Sequence, residues 1–230
     1  MLEGKRPKRR WLSVIALSAA AFIDSSEDQT LSILWPQMHR SLGLTVGQLG
    51  PVLGISNVIR TITLPFWGYA ADHFSRKALL VGITGIWGLW TLAVSLVHNL
   101  PQLMLVRILS SLGLGVLWPT AFSLLSDLFE SRERGRAAGV MAAVSFTGSL
   151  AAFGILPVLA AAGPEAWRTG FVAMGLASVV TGLLLFLVND PPRGASEPEL
   201  KDVVEQSGQR YVFRLADLPT VARVRTWWVL

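Results

Sequence analysis

Cysteine is absent from the 230-residue chain, which excludes disulfide scaffolds, thiolate metal sites and cysteine nucleophiles. Charge is scarce as well: Asp, Glu, Lys and Arg make up 15% of the residues against 52% that are hydrophobic. Over long stretches the scarcity becomes near absence. From Ala78 to Ser126 the only charged side chain is Arg107, and from Ala137 to Asn189 only Glu165 and Arg168 carry charge. Hydrocarbon about 30 Å thick takes about 20 helical residues to cross, so each window has room for two crossings and a turn. An ordinary water-soluble enzyme is thereby excluded. Histidine is rare, and His39, His73 and His98 stand far apart without a ligand spacing, so neither a metal site nor a cofactor is expected. No Ser/His/Asp constellation lies in the apolar segments to support membrane-embedded catalysis.

Six apolar segments are present, at 11–35, 47–71, 78–97, 102–126, 137–162 and 169–188. They predict an all-α membrane protein with this organisation: a basic tail at 1–10, a six-helix transmembrane domain at 11–188, a central linker at 189–225, and the start of a seventh span at 226–230. The basic tail followed by Trp11–Ile23 also has the form of a secretory signal peptide. Apolar character resumes after Asp28 and five more segments follow, which favours an uncleaved first span. The linker combines Pro191, Pro192 and Pro198 with mixed charge, a composition for joining domains rather than for folding alone.

The formal net charge of +5 does not mark a nucleic-acid surface, because the bases follow topology. Sixteen of the twenty Lys and Arg fall on one side of the drawn spans: the tail, Arg76 and Lys77, Arg132, Arg134 and Arg136, and the six in the linker. Arg40 and Arg168 fall on the other side, and Arg60 and Arg107 within the membrane. Positive charge concentrates in cytoplasmic loops, so the tail and linker are expected in the cytoplasm of a multi-pass cell-membrane protein.

After the second segment the chain reads Gly68-Tyr-Ala-Ala-Asp72-His-Phe-Ser-Arg76-Lys77. This resembles the GxxxDxxxRK signature of the major facilitator superfamily, with Ser75 in place of a glycine. Arg107 with Ser111, Gly113, Gly115 and Trp118-Pro119 resembles that family's fourth span. Asp127-Leu-Phe129 with Arg134-Gly-Arg136 resembles the loop that follows it, and Trp167-Arg168 the entry to the sixth span. The resemblance implies the amino-terminal half of a twelve-span transporter whose carboxy-terminal half is missing. It also implies a cytoplasmic gating cluster of Gly68, Asp72, Arg76, Lys77, Asp127, Arg134 and Arg136, with Asp72, Arg76, Asp127 and Arg134 forming a latch. Leu34-Trp35-Pro36, Phe66-Trp67-Gly68 and Pro191-Pro192-Arg193-Gly194 are similar to spinster-like lipid transporters, which carry an intramembrane Glu where this chain has Leu114.

Asp24, Glu27 and Asp28 interrupt the first segment at spacings that place all three carboxylates on one helix face. A charged side chain at such depth needs a partner or a water-filled cavity. At about 1.5 Å of rise per residue, Asp24 and Arg60 lie at similar depth, and Arg107 near Glu27 and Asp28. Three acids against two bases leave one acid short of a partner, the arrangement a proton carrier needs. The same residues also suit a purely structural role in orienting helices, or a break in the first span that brings the acids to water. Gly139, Ala143, Gly148, Ala152 and Gly154 recur at intervals near four, as in closely packed membrane helices. Trp67, Trp87, Trp90 and Trp118 are candidates for lining a cavity.

The expected function is secondary active transport of a small organic solute or lipid-like molecule, proton-coupled through Asp24, Glu27, Asp28, Arg60 and Arg107. Membrane lipid and the missing half are the expected partners, and nucleic acid is not. A half-size, non-transporting scaffold or obligate dimer is the alternative. The topology has a direct test, since no native Cys interferes: a Cys introduced at Ser207 should react with impermeant maleimide only after permeabilisation. Labelling from outside intact cells would overturn the orientation.

Overall fold

The structure, a computed structural model, describes residues 6–191 apart from Leu114, with the backbone alone for residues 6–9 and Asp72. The tail before Arg6, the linker from Pro192 onward and the 226–230 stretch lie outside the described residues. Among the described residues there are seven α-helices and no strand: α1 (Arg6–Ser41), α2 (Leu49–His73), α3 (Arg76–Val94), α4 (Leu100–Ser111), α5 (Leu117–Leu128), α6 (Ser131–Ala160) and α7 (Trp167–Leu184). Four helical stretches are long and apolar enough to cross a membrane: Val46–Ala71, Arg76–Val94, Ser131–Ala160 and Trp167–Leu187.

Local chemistry sets the boundaries. The Ser75 side chain accepts from the Ala78 amide to start α3, and Asn99 accepts from the Gln102 amide to start α4, with a proline in the first turn. Each satisfies a donor that the helix leaves without an internal partner. α1 runs unbroken for 36 residues through Asp24, Glu27 and Asp28, which rules out a break in the first span. The segment expected as one span at 102–126 is instead two helices. Gly115 in the parting turn has φ +104°, a left-handed conformation open mainly to glycine. The Ser110 and Ser111 hydroxyls donate to the Arg107 carbonyl at 3.0 and 2.6 Å, a local bonding mode that bends helices.

α1 packs chiefly on α6, and α3 on α7, while α2 touches mainly α4. Two apolar cores result. One gathers Leu17, Leu80, Leu124, Phe129 and Met141; the other gathers Leu34, Met38, Leu103, Leu156, Trp167 and Phe171. On α1 they occupy Val14–Ala21 and Leu31–Met38, so the acids at 24–28 form a polar layer between them.

Glycines permit the close contacts. A Cβ on Gly148 would stand 2.2 Å from the Phe22 carbonyl oxygen of α1, and one on Gly88 of α3 would stand 2.7 Å from the Gly175 carbonyl oxygen of α7. The stripe expected along the fifth segment is only partly the packed one. Gly148 and Ala152 are buried, with Ala137, Met141, Ser145, Leu156 and Ala160, but Gly139, Ala143 and Gly154 face outward. The buried face follows 3.6-residue helical geometry, and the spacing of small residues alone does not reveal it. Gly148→Ala should therefore lower the melting temperature of the detergent-solubilised protein by an overpacking cost of about 1–3 kcal/mol. Gly154→Ala, with nothing within 4 Å of the added carbon, should not; equal melting temperatures would sink this account of the α1–α6 contact.

Candidate functional site

The polar layer brings the intramembrane charges together. Arg60 of α2 reaches both oxygens of Asp28 from one nitrogen, at 3.2 and 3.5 Å. Arg107 of α4 interacts with Asp28 and Glu27, and Glu27 with Thr91 of α3. Asp24 is served by Arg60 and by the Trp118 side chain of α5. Five helices thus meet around three carboxylates and two guanidiniums.

Two open pockets flank this layer. One is lined by Asp24, Glu27, Thr84, Trp87 and Ser178; the other by Glu27, Asp28, Thr91, Arg107 and Ser110 with Trp87. Glu27 and Trp87 border both. The Trp87 ring lies so close over Gly113 that a Cβ there would fall 1.6 Å from a ring carbon, so the glycine of the parted fourth segment seats the indole. Trp67 acts elsewhere: its indole N–H donates to the Leu112 carbonyl at 2.7 Å and braces the same turn.

A second charged cluster sits at the start of α3. Arg76 is 1% exposed. Its guanidinium donates to Asp127 at 2.5 Å, to the Ser123 carbonyl and hydroxyl at 3.1 and 3.0 Å, to Asp190 at 3.3 Å and to the Pro191 carbonyl at 3.0 Å. Asp190 also accepts from the Ser75 hydroxyl at 3.0 Å and from the Lys77 amide at 3.4 Å. Arg134 donates to the Ser126 carbonyl at 2.9 Å, and the Arg136 guanidinium lies 5.7 Å from the Trp11 ring centre. A Cβ added at Gly68 would meet nothing within 4 Å. Arg76 and Asp127, expected in a latch, therefore meet inside this one bundle. Asp190 and Ser123 were not legible as partners: one lay in the expected linker, the other in an uncharged run.

At the opposite end, a clamp joins α1, α3 and α7. The Ser41 hydroxyl donates to Glu165, and the Trp167 indole donates to Ser41 at 3.1 Å. Arg168 donates to Glu165 at 2.7 Å and to the Ser95 and Val97 carbonyls at 2.5 and 2.8 Å. Among the described residues, no group of three or more His, Asp or Glu side chains is placed to hold a metal ion.

Long apolar helices and a buried layer of opposite charges define a multi-pass helical membrane protein. The chain belongs to the Major Facilitator Superfamily, whose family model matches residues 17–230. It is 27% identical over 226 residues to the probable sulfoacetate transporter SauU of Cupriavidus necator, covering 97% of this chain and 51% of that protein. Over 123 residues it is 30% identical to the 4-hydroxybenzoate transporter PcaK of Pseudomonas putida, covering 54% of this chain and 28% of that one. Its fold is similar to a bacterial homolog of the human lysosomal transporter Spinster in an inward-facing, occupied conformation, with TM-score 0.75, 22% identity, and 85% and 48% of the two chains covered. The chain spans about half the length of SauU and of the Spinster homolog. These relatives are transporters, not enzymes.

The Ser41 hydroxyl first, and then Arg168, hold the Glu165 carboxyl below its ordinary value of 4.5. A carboxylate depressed in the folded state adds stability above its unfolded pKa, and that stability is lost as pH falls through the folded value. Glu165→Gln should accordingly flatten the acid-side fall of melting temperature below about pH 4.5 and leave the neutral-to-basic profile parallel to that of the parent. An unchanged acid limb in thermal scans would show that the clamp contributes nothing to stability.

Proposed function

We propose that the chain is the amino-terminal, six-span half of a secondary active transporter that moves a small organic solute in exchange or symport with protons. In this assignment α1 is the first crossing, and α4 and α5 together form the fourth, parted at the turn that seats Trp87. The basic end carrying Arg76, Lys77, Arg132, Arg134 and Arg136 faces the cytoplasm, in keeping with the excess of Lys and Arg there. The two halves rock about a site near the membrane midplane, the usual plan of such transporters.

The observation that carries this proposal is the convergence of Asp24, Glu27, Asp28, Arg60 and Arg107 on two pockets in the middle of the bundle. Charges at that depth are costly, and they are kept where they line an ion or substrate path. Asp28 is held by Arg60 in a direct ion pair, so it serves as a fixed counter-charge. Glu27 borders both pockets and has no direct ion pair among the described residues, which makes it the proton carrier. SauU and PcaK are named for small organic acids, and the two arginines supply the positive charge that such solutes require.

The cytoplasmic cluster has a mechanical part. Arg76 ties α3, α5 and the segment after α7 into one body, and the rest of the gating motif, Gly68, Asp72, Lys77, Arg134 and Arg136, belongs to the same basic end, which would meet the other half. A two-state equilibrium shifts only by contacts that differ between the states, so the buried Arg76 hub holds this half rigid and the surrounding charges do the gating.

In proteoliposomes containing the full-length protein, Glu27→Gln should abolish pH-gradient-driven uptake while leaving membrane insertion intact. The substitution keeps size and polarity but removes the titratable proton. Parental pH dependence in that variant would assign the acid cluster to helix orientation.

A further inference from the structure

Three buried polar atoms converge on the pocket between α1, α3 and α4. Glu27 Oε1, Trp87 Nε1 and Arg107 Nε are each buried without a hydrogen-bond partner among the described residues, and all three side chains line the same pocket. Buried polar atoms are nearly always satisfied, and an orphan calls for an explanation. Ser18 and Gln37 also carry an orphan oxygen but stand away from this pocket. Here side chains carrying two orphan donors and one orphan acceptor line a single pocket.

Their chemistry specifies a complement. Arg107 Nε–H bears positive charge and Trp87 Nε1–H is a neutral donor; together they suit an anionic acceptor such as a carboxylate or sulfonate. Glu27 Oε1 demands a donor. Glu27 Oε1 accepts when the carboxyl is ionised, and also when its proton sits on the other oxygen. Phe171 and Val94, on the same wall, offer apolar contact to a carbon skeleton. Asp28 also borders the pocket, but its carboxylate is engaged by Arg60.

Resting on the transport function proposed above, we infer that the solute is a hydroxylated organic anion, its carboxylate or sulfonate held by Arg107 and Trp87 and its hydroxyl donating to Glu27. A simple fatty acid would leave Glu27 unsatisfied, and a neutral polyol would leave the arginine unsatisfied. A site built to bond a hydroxyl discriminates strongly against the analogue without it, because its own buried group then stays unpaired. Trp87 is thus a specificity-determining residue: its ring is seated on Gly113, and its N–H points to the anion.

The test is ligand-induced thermal stabilisation of the full-length protein. The probes are four- to seven-carbon hydroxycarboxylates, each paired with its deoxy acid and its neutral methyl ester. At least one hydroxy acid should stabilise the protein, with deoxy and ester partners weaker by about tenfold or more. Trp87→Phe, which removes the N–H together with part of the ring seated on Gly113, should weaken that ligand by about tenfold. A deoxy acid or an ester binding as well as its hydroxy acid would overturn the inference, as would unchanged affinity in Trp87→Phe or no stabilisation anywhere in the panel. If Trp87→Phe fails to fold, the paired compounds on the parent protein decide alone. Proton-driven flux of a solute lacking the anion or the hydroxyl would overturn this inference while sparing the transport function; loss of all proton-driven flux would overturn both.

Discussion

A charge that leaves water must find its partners inside the protein, and Arg76 shows how much structure that requirement organises. Its guanidinium is almost wholly buried and reaches α5 and the segment after α7 from the first turn of α3. Removing one partner of such a buried pair typically costs about 3–5 kcal/mol, because the remaining charge is stranded. Three elements distant in sequence are thereby held in one register. The position of α7 against α3 in turn sets the close approach at Gly88 and Gly175.

The same requirement shapes the middle of the bundle, with a different outcome. Around Arg76 the donors are consumed by carboxylates, a hydroxyl and carbonyl oxygens. Around Glu27 they are not: Arg60 and Asp28 satisfy one another, while Glu27, Trp87 and Arg107 each keep an orphan atom. Fully satisfied buried polar networks rigidify the packing around them. One cluster therefore ties α3, α5 and the segment after α7 together, and the other leaves polar atoms without a hydrogen-bond partner among the described residues in the middle of the bundle. The parted fourth segment connects them, since the turn between α4 and α5 supplies Gly113, on which Trp87 rests, and Trp118 on α5 reaches Asp24.

The opposite end repeats the logic at the surface. Arg168 is spread over Glu165 and two carbonyls that close α3, and Trp167 links the same turn to the end of α1. The pairs are partly exposed, so screening limits what each contributes. Their shared geometry ties three helix ends together above the apolar core that Met38, Val94 and Trp167 share.

Charge spacing along the chain was enough to determine the class of this protein. The charge-free windows match hydrocarbon thickness, and that comparison needs only one dimension, since helical rise converts residue number into depth. The motif order around Asp72, Arg107 and Trp167 likewise located the family. Depth arithmetic also placed Asp24, Glu27, Asp28, Arg60 and Arg107 in one layer. Only the tertiary structure decided that Asp28 takes Arg60, that Gly148 rather than Gly139 or Gly154 meets α1, and that Asp190 joins Arg76. It alone revealed the parting of the fourth segment and the pocket that Trp87 shares with Glu27. Rise along a helix is a fixed property of the backbone. Rotation about the helix axis and the identity of the facing helix are set by packing between residues more than a hundred positions apart, which no local pattern encodes.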